Sequence, residues 1–108
     1  MPFDCTIQRD GDTIVVVPEV DVDADNAAVL RQVLHQVVDR HDYTRLDVDM
    51  SAVTFLDSSG LGMLVAAQRA ASARGITLTL RHPGPMVRMV LEVTNLHEVL
   101  TEEPHTRA

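Results

Sequence analysis

The residues best suited to chemistry stand together in the middle of the chain, where the sequence reads Asp57-Ser58-Ser59-Gly60. An apolar, β-prone segment precedes them at residues 53–56, and a helix-forming run follows up to residue 71. This pattern predicts a strand that ends at the turn and a helix that begins there. The helix mouth would then carry one carboxylate and two hydroxyl groups.

Enzymatic and ligand-binding interpretations fit the spacing of this turn poorly. A hydrolase elbow needs Gly-x-Ser-x-Gly, but Leu56 and Asp57 occupy the places where its first glycine would stand. Three histidines follow the serines, but no aspartate does: His82, His97 and His105. A nucleotide-binding loop needs a dinucleotide or Walker pattern, and all nine basic residues of the chain are arginine.

A third interpretation is that one serine of the turn receives a phosphate. Ser58 lies at or next to the helix N-cap, where the helix dipole stabilises an anion by about 0.3–1 kcal/mol. The adjacent Asp57 carboxylate repels it, so the two effects on the fold nearly cancel. The consequence would fall on a protein that docks at the helix mouth. The plainer alternative is an N-cap that only satisfies a backbone N–H group.

Other ligating or nucleophilic residues favour structural interpretations. His35 and Asp39 are spaced for one helix face but lack a third metal ligand. Asp47 and Asp49 alternate along a strand, about 7 Å apart, which is typical of a solvated strand face. Cys5 lies in a predicted strand and reads as a structural thiol. We therefore expect no catalytic residue, metal or cofactor.

The composition limits which classes of protein this chain can belong to. A chain of 108 residues with 45% hydrophobic residues predicts a single domain. A net charge of −7 and only three aromatic residues disfavour nucleic acid and anionic membrane surfaces. The sequence contains no membrane-spanning run, no signal peptide and one cysteine, so we expect a cytoplasmic location. We expect one domain over residues 1–108, with ordered residues 3–100 and a flexible tail from 101.

The periodicity predicts the element order β-β-α-β-α-β-α, an α/β fold with a mixed sheet of four or five strands. A hairpin turn at Asp10-Gly11-Asp12 joins strands at 5–9 and 13–17. A helix capped at Asp25-Asn26 precedes a strand at 46–50. The central helix ends at Gly75, and a strand follows at 76–81. A helix then runs from Pro85 to a left-handed Asn95, and residues 97–100 form a short strand or turn.

Two sides of the central helix are candidates for burial. One carries Leu61, Leu64, Val65 and Gln68, and the other carries Gly60, Met63 and Ala67 next to Ser58. If the first side packs on the sheet, the second is a candidate docking patch. The alternative is that Met63 also belongs to the core.

The turn and its setting resemble the STAS domain family, specifically the bacterial anti-sigma factor antagonists. That family carries Asp-Ser-Ser/Thr-Gly-Leu-Gly between a central strand and the second helix, and this chain has Asp57-Ser58-Ser59-Gly60-Leu61-Gly62. Length and element order match as well, so the resemblance covers nearly the whole chain. The family's Gly-Glu-Leu/Val-Asp loop beside the serine reads Val20-Asp21-Val22-Asp23 here, with the glycine replaced and the glutamate shortened.

The resemblance implies a partner-switching protein that is not an enzyme. Ser58 would be phosphorylated by an anti-sigma factor with serine kinase activity, and a PP2C-type phosphatase would reset it. The unphosphorylated form would bind the anti-sigma factor and free sigma. The implied partner-binding residues are Asp21, Asp23, Asp57, Ser58, Ser59, Gly60 and Met63. The alternative is a non-switching STAS interaction subunit of a transporter or a stress-signalling assembly.

Overall fold

Strands and helices alternate as the sequence predicts, in a computed structural model that describes residues 5–19, 21–40 and 42–101. The elements are β1 (Cys5–Asp10), β2 (Thr13–Pro18), α1 (Ala27–Val38), β3 (Arg45–Asp49), α2 (Ser58–Ala73), β4 (Thr77–Arg81), α3 (Pro85–Val93) and α4 (His97–Thr101). The strands form one mixed sheet in the order β1-β2-β3-β4. The predicted α/β class is therefore confirmed, with four strands in the described part of the chain.

The parallel strands of the sheet all end on the same side of the molecule. β1 and β2 pair antiparallel through the predicted hairpin, in which Gly11 takes a φ of +63°. β2 pairs parallel with β3, and β3 pairs parallel with β4. The carboxyl ends of β2, β3 and β4 therefore lie together, and the connections that follow them meet there.

Strict alternation along the strands places one face of the sheet against the helices. The buried positions of β2, β3 and β4 join the apolar stripes of α1 and α2 in one core. Its fully buried large side chains include Ile14, Leu30, Leu34, Leu46, Leu64, Leu78 and Leu80. Each such side chain stabilises the fold by about 1.5–3 kcal/mol relative to an exposed one.

The opposite face of the sheet is polar and partly exposed. Asp47 accepts a hydrogen bond from Thr79 Oγ1 at 2.7 Å and lies 3.5 Å from Arg45 and 3.6 Å from Arg81. Asp49 accepts from the Ser51 N–H at 2.9 Å. These two aspartates are thus part of a half-exposed, hydrogen-bonded strand face.

Several helix ends follow the predicted chemistry. Gly75 takes a φ of +77° after α2, and Asn95 takes +61° after α3, so both left-handed positions are confirmed. Asn26 stands at the N-cap of α1, but its side chain makes no capping bond. Its amide instead accepts from the Asp23 N–H at 3.0 Å and donates to the Asp21 carbonyl at 2.6 Å. The cap side chain therefore holds the preceding loop.

The segment after Asn95 differs from the prediction. Residues 97–100 were predicted as a strand or turn, but they form the short helix α4, which also includes Thr101. His97, Leu100 and Thr101 are all buried, and their i, i+3, i+4 spacing is helical. The expected flexible tail was therefore wrong at Thr101, because that side chain is packed. Residues 1–4 and 102–108 lie outside the described residues.

Candidate functional site

Ser58 is the first residue of α2, directly after its N-cap Asp57. The Asp57 backbone is extended, with φ −96° and ψ −178°, and its Oδ1 accepts a hydrogen bond from the Gly60 N–H at 3.0 Å. Ser58 and Ser59 are both exposed. The predicted helix start is confirmed, with a carboxylate in the cap and two exposed serines directly after it. The strand predicted over residues 53–56 is wrong, because only Leu56 pairs there, as an isolated bridge with Val22.

The second oxygen of Asp57 ties α2 to the loop that follows β2. Asp57 Oδ2 accepts from the Ala24 N–H at 3.1 Å. In the same place Val22 pairs with Leu56 as an isolated parallel bridge. The Val22 N–H donates to the Phe55 carbonyl at 3.1 Å, and the Asp57 N–H donates to the Val22 carbonyl at 3.3 Å. The serine turn is therefore held by a segment far away in sequence.

Asp21 makes the second tie between these segments. One carboxylate oxygen of Asp21 accepts from the Thr54 N–H at 2.7 Å, from Thr54 Oγ1 at 2.9 Å and from the Phe55 N–H at 3.0 Å. The Thr54 backbone hydrogen bond is the main cause that holds the pKa of Asp21 below its ordinary value. Asp21 therefore positions the connection between β3 and α2.

Asp23 shapes the start of α1. Its Oδ1 accepts from the Asp25 N–H at 2.9 Å and from the Asn26 N–H at 3.2 Å, the geometry of an Asx turn. The structure thus brings the three predicted carboxylates to one corner, and each holds backbone N–H groups there. Sequence reasoning missed Ala24 and Thr54, which complete this arrangement and carry no motif of their own.

Gly60 is buried and allows a close approach of two segments. A Cβ on this residue would lie 2.6 Å from Val22 Cγ1, 2.8 Å from Leu56 Cδ1 and 3.0 Å from the Val22 carbonyl oxygen. No side chain fits there without movement. The prediction that Gly60 belongs to an exposed docking patch is therefore wrong.

Met63 is also buried, with 7% of its surface exposed, and Ala67 beside it is buried as well. The alternative that Met63 belongs to the core is confirmed, and its predicted place in an exposed docking patch is wrong. The physical reason is that α2 packs against both the sheet and α1, so two of its sides are covered. Its exposed face carries Ser58, Ser59, Gly62, Ala66 and Arg69.

The candidates for other chemistry lie in structural settings. The His97 ring is buried, and its Nε2 lies 3.2 Å from Arg88 Nη1. Because a guanidinium only donates, Nε2 is the acceptor in that pair. Burial, with a contribution from Glu19, raises the pKa of the half-buried Cys5 thiol, so the reactive thiolate is disfavoured. Within residues 5–19, 21–40 and 42–101, no three acidic, histidine or cysteine side chains are grouped to hold a metal ion.

Comparison with known proteins gives the family. A family model described as "Mlab, STAS domain" matches residues 5–102. The chain belongs to the STAS domain family. Across the part of this STAS domain that the structure describes, no helix combines the length and apolar character needed to cross a bilayer.

Individual relatives within the family carry antagonist names. A Thermotoga maritima protein named as an anti-sigma factor antagonist is 25% identical over 89 residues, which is 82% of this chain and 79% of that protein. The crystal structure of an anti-sigma factor antagonist from Mycobacterium paratuberculosis superposes with a TM-score of 0.78 at 26% identity. That match covers 92% of this chain and 83% of the other.

The Bacillus protein SpoIIAA shares the fold in two forms. Its unphosphorylated form superposes with a TM-score of 0.75 at 21% identity, over 87% of this chain and 83% of that one. Its phosphorylated form gives 0.68 at 20% identity, over 86% and 85%. The predicted family resemblance and fold are therefore confirmed.

Proposed function

We propose that this STAS domain is an anti-sigma factor antagonist with a phosphorylation switch at Ser58. The unphosphorylated form binds an anti-sigma factor that is also a serine kinase, and sigma is released. Phosphorylation of Ser58 ends that binding, and a PP2C-type phosphatase restores it. The domain is itself a binding module, acting in the cytoplasm as a substrate of the kinase. The observation that carries the proposal is an exposed hydroxyl on the first residue of α2, beside a cap that is fixed by hydrogen bonds.

The chemistry of the switch requires little from this chain. The kinase transfers the γ-phosphoryl group of a nucleoside triphosphate to Ser58 Oγ, and its own base and Mg²⁺ assist the transfer. This chain contributes the hydroxyl and its position. Since Asp57 already occupies the Gly60 and Ala24 N–H groups, the Ser58 side chain is not needed to cap the helix. The hydroxyl is available without loss of the fold.

A phosphate at this position acts on binding more than on stability. A phosphoserine carries about −1.5 to −2 charges, and it would add to the three carboxylates at the same corner. The exposed helix start leaves it in water in the free protein, where the local repulsion is screened. A docked partner removes that water, and an unpaired dianion beneath an interface costs several kcal/mol, about a hundredfold in affinity or more.

The names of the relatives support the same function. All three of the proteins described above are named as anti-sigma factor antagonists, and one of them, SpoIIAA, is described in both unphosphorylated and phosphorylated forms. Ser58, rather than Ser59, is proposed as the acceptor because it directly follows the aspartate in the family pattern. Asp21, Asp23 and Asp57 then serve the partner surface by positioning the turn and by giving it a negative charge.

Substitution of each serine tests the switch. We expect Ser58→Asp to weaken binding about a hundredfold, by the burial of a charge without a partner. Ser58→Ala should bind like the unmodified chain and accept no phosphate, while Ser59→Ala should bind and still be phosphorylated. The measurements are calorimetric titration with the purified anti-sigma factor and mass spectrometry of the phosphorylated chain.

Two results would redirect the proposal. Equal binding by Ser58→Asp and Ser58→Ala would exclude the switch and favour a non-switching interaction subunit. Turnover of an ester substrate that disappears in Ser58→Ala would instead identify a hydrolase.

A further inference from the structure

Helix α3 exposes an apolar stripe that the core does not use. Met86 is 44% exposed, Met89 is 52% exposed and Val93 is 77% exposed, at spacings of three and four residues. Val87 and Leu91 on the other side of the helix are fully buried. A surface helix normally needs only one apolar side. A second, contiguous one is typical of an interaction surface.

The stripe continues into a groove that borders the connection leading to Ser58. The groove has a volume of about 370 Å³ and lies between the β3–α2 connection and the start of α3. Its lining residues are Ser51, Val53, Thr54, Gly84, Pro85 and Met86. Thr54 donates hydrogen bonds to the Asp21 carboxylate through both its N–H and its hydroxyl group, and the next residue, Phe55, is 44% exposed. The acidic corner and the apolar stripe thus border the same residue.

We propose that the α3 stripe, defined as Met86, Met89 and Val93, is the second half of the partner-docking surface that includes Ser58. It would bind a surface of the anti-sigma factor that has an apolar centre, with basic residues opposite Asp21 and Asp23 and none opposite Ser58. This inference rests on the proposed function, because both halves are assigned to the same partner. Methionine side chains suit such a surface, since they repack around different apolar shapes.

Residues 102–108, which follow α4, are poor occupants of the stripe. They read Glu-Glu-Pro-His-Thr-Arg-Ala and contain no large aliphatic side chain that could cover it.

The negative charge of the surface favours a different protein as the partner over a second copy of this chain. Asp21, Asp23, Asp25 and Asp57 lie around the serine turn, and the chain carries a net charge of −7. Two copies meeting through adjoining stripes would bring these acidic corners together, which costs free energy through like-charge repulsion. A partner with an apolar centre and basic residues opposite Asp21 and Asp23 pairs with both parts of the surface, while Ser58 faces no cation that could pair with a phosphate.

The test compares one exposed apolar residue on the stripe with one far from it. Met89→Glu places a charge in the middle of the stripe, and Ile7→Glu places the same charge at a 48% exposed position on the edge strand β1. By titration with the purified anti-sigma factor, we expect Met89→Glu to weaken binding at least tenfold. Ile7→Glu should stay within twofold of the unmodified chain. Thermal unfolding verifies that each variant is folded, and Met89→Ser replaces Met89→Glu if the latter is not.

The outcomes distinguish this inference from the proposed function. If Ser58→Asp abolishes binding and Met89→Glu binds like the unmodified chain, the switch stands and the stripe has no docking role. If Met89→Glu weakens binding while Ser58→Asp does not, the stripe is a docking surface without the switch. Sedimentation of the chain alone adds a third outcome. A dimer that Met89→Glu dissociates would show that a second copy covers the stripe, contrary to the proposal.

Discussion

Helices α2 and α3 begin at the same end of the sheet, after the neighbouring strands β3 and β4, but their first turns are built differently. The start of α2 is held by carboxylates, with Asp57 bonded to both Gly60 and Ala24. The start of α3 has Gly84 at its N-cap without a side-chain bond, followed by Pro85. The start of α2 is therefore fixed by directional hydrogen bonds, and the start of α3 is fixed by the Pro85 ring, which presets φ.

The two surfaces differ in the same way. The first turn of α2 exposes the small polar residues Ser58 and Ser59, so a change in charge at Ser58 alters the character of this part of the surface. The α3 stripe consists of methionine and valine, which carry no charge to switch, and the exposed Arg88 and Glu92 lie outside it. The difference suggests a division of roles, in which the α3 stripe contributes contact area and the α2 turn contributes control. Substitutions at the start of α2 or of α3 can make these two helix starts more alike or more different.

The largest effect is expected from Gly60→Ala, which should lower the free energy of unfolding by about 2–3 kcal/mol because the new Cβ overlaps Val22 and Leu56. Gly62→Ala is the matched control in the same helix, since nothing lies within 4 Å of its Cβ position. That variant should be more stable by up to about 1 kcal/mol, because alanine has the better helix propensity. Urea unfolding followed by circular dichroism measures both. Equal effects of the two substitutions would contradict the close approach at Gly60.

A smaller loss is expected from Asp57→Ala, about 1–2 kcal/mol, because the cap bond and the bond to Ala24 are both removed. Asp57→Asn separates the two bonds. Its carbonyl oxygen can still accept from the Gly60 N–H, but its amide nitrogen cannot accept from the Ala24 N–H. We expect Asp57→Asn to lie between Asp57→Ala and the unmodified chain in stability, with faster amide exchange at Ala24. No difference between the Asn variant and the unmodified chain would mean that the loop is held without Asp57.

Local patterns predicted much of this molecule. Strict alternation identified β3, the Asp-Gly pair identified the hairpin, and the small polar run placed Ser58 at the start of α2. These features depend on neighbours in sequence, and each has a residue signature with one dominant physical cause. The left-handed Gly75 and Asn95 belong to the same class, because a positive φ restricts the residue type directly.

The features that depend on distant contacts could not be predicted. Gly60 is buried because Val22, in another segment, packs on it. Periodicity placed Met63 on a second side of α2 but could not show that this side is buried as well. In α3 the pattern assigns Val87, Val90 and Leu91 to the apolar side, but only coordinates show that Met86, Met89 and Val93 are left exposed beside it. The roles of Asp21 and Asp57 as ties between segments also require coordinates.

The smallest effect is expected from adding to α3 the kind of cap that α2 already has. Gly84→Ser supplies a side-chain acceptor at the N-cap, and the Gly84 backbone, with φ −73° and ψ 178°, already suits a capping serine. Nothing lies within 4 Å of the new Cβ, so the serine side chain meets no clash. We expect the free energy of unfolding to rise by only a few tenths of a kcal/mol, because serine caps only slightly better than glycine. Chemical unfolding of this variant beside Gly84→Ala, which fills the same space without an acceptor, isolates the hydrogen bond. A loss of stability in Gly84→Ser would show that the α3 terminus depends on the glycine itself, and that the two helix starts differ in backbone freedom as well as in capping.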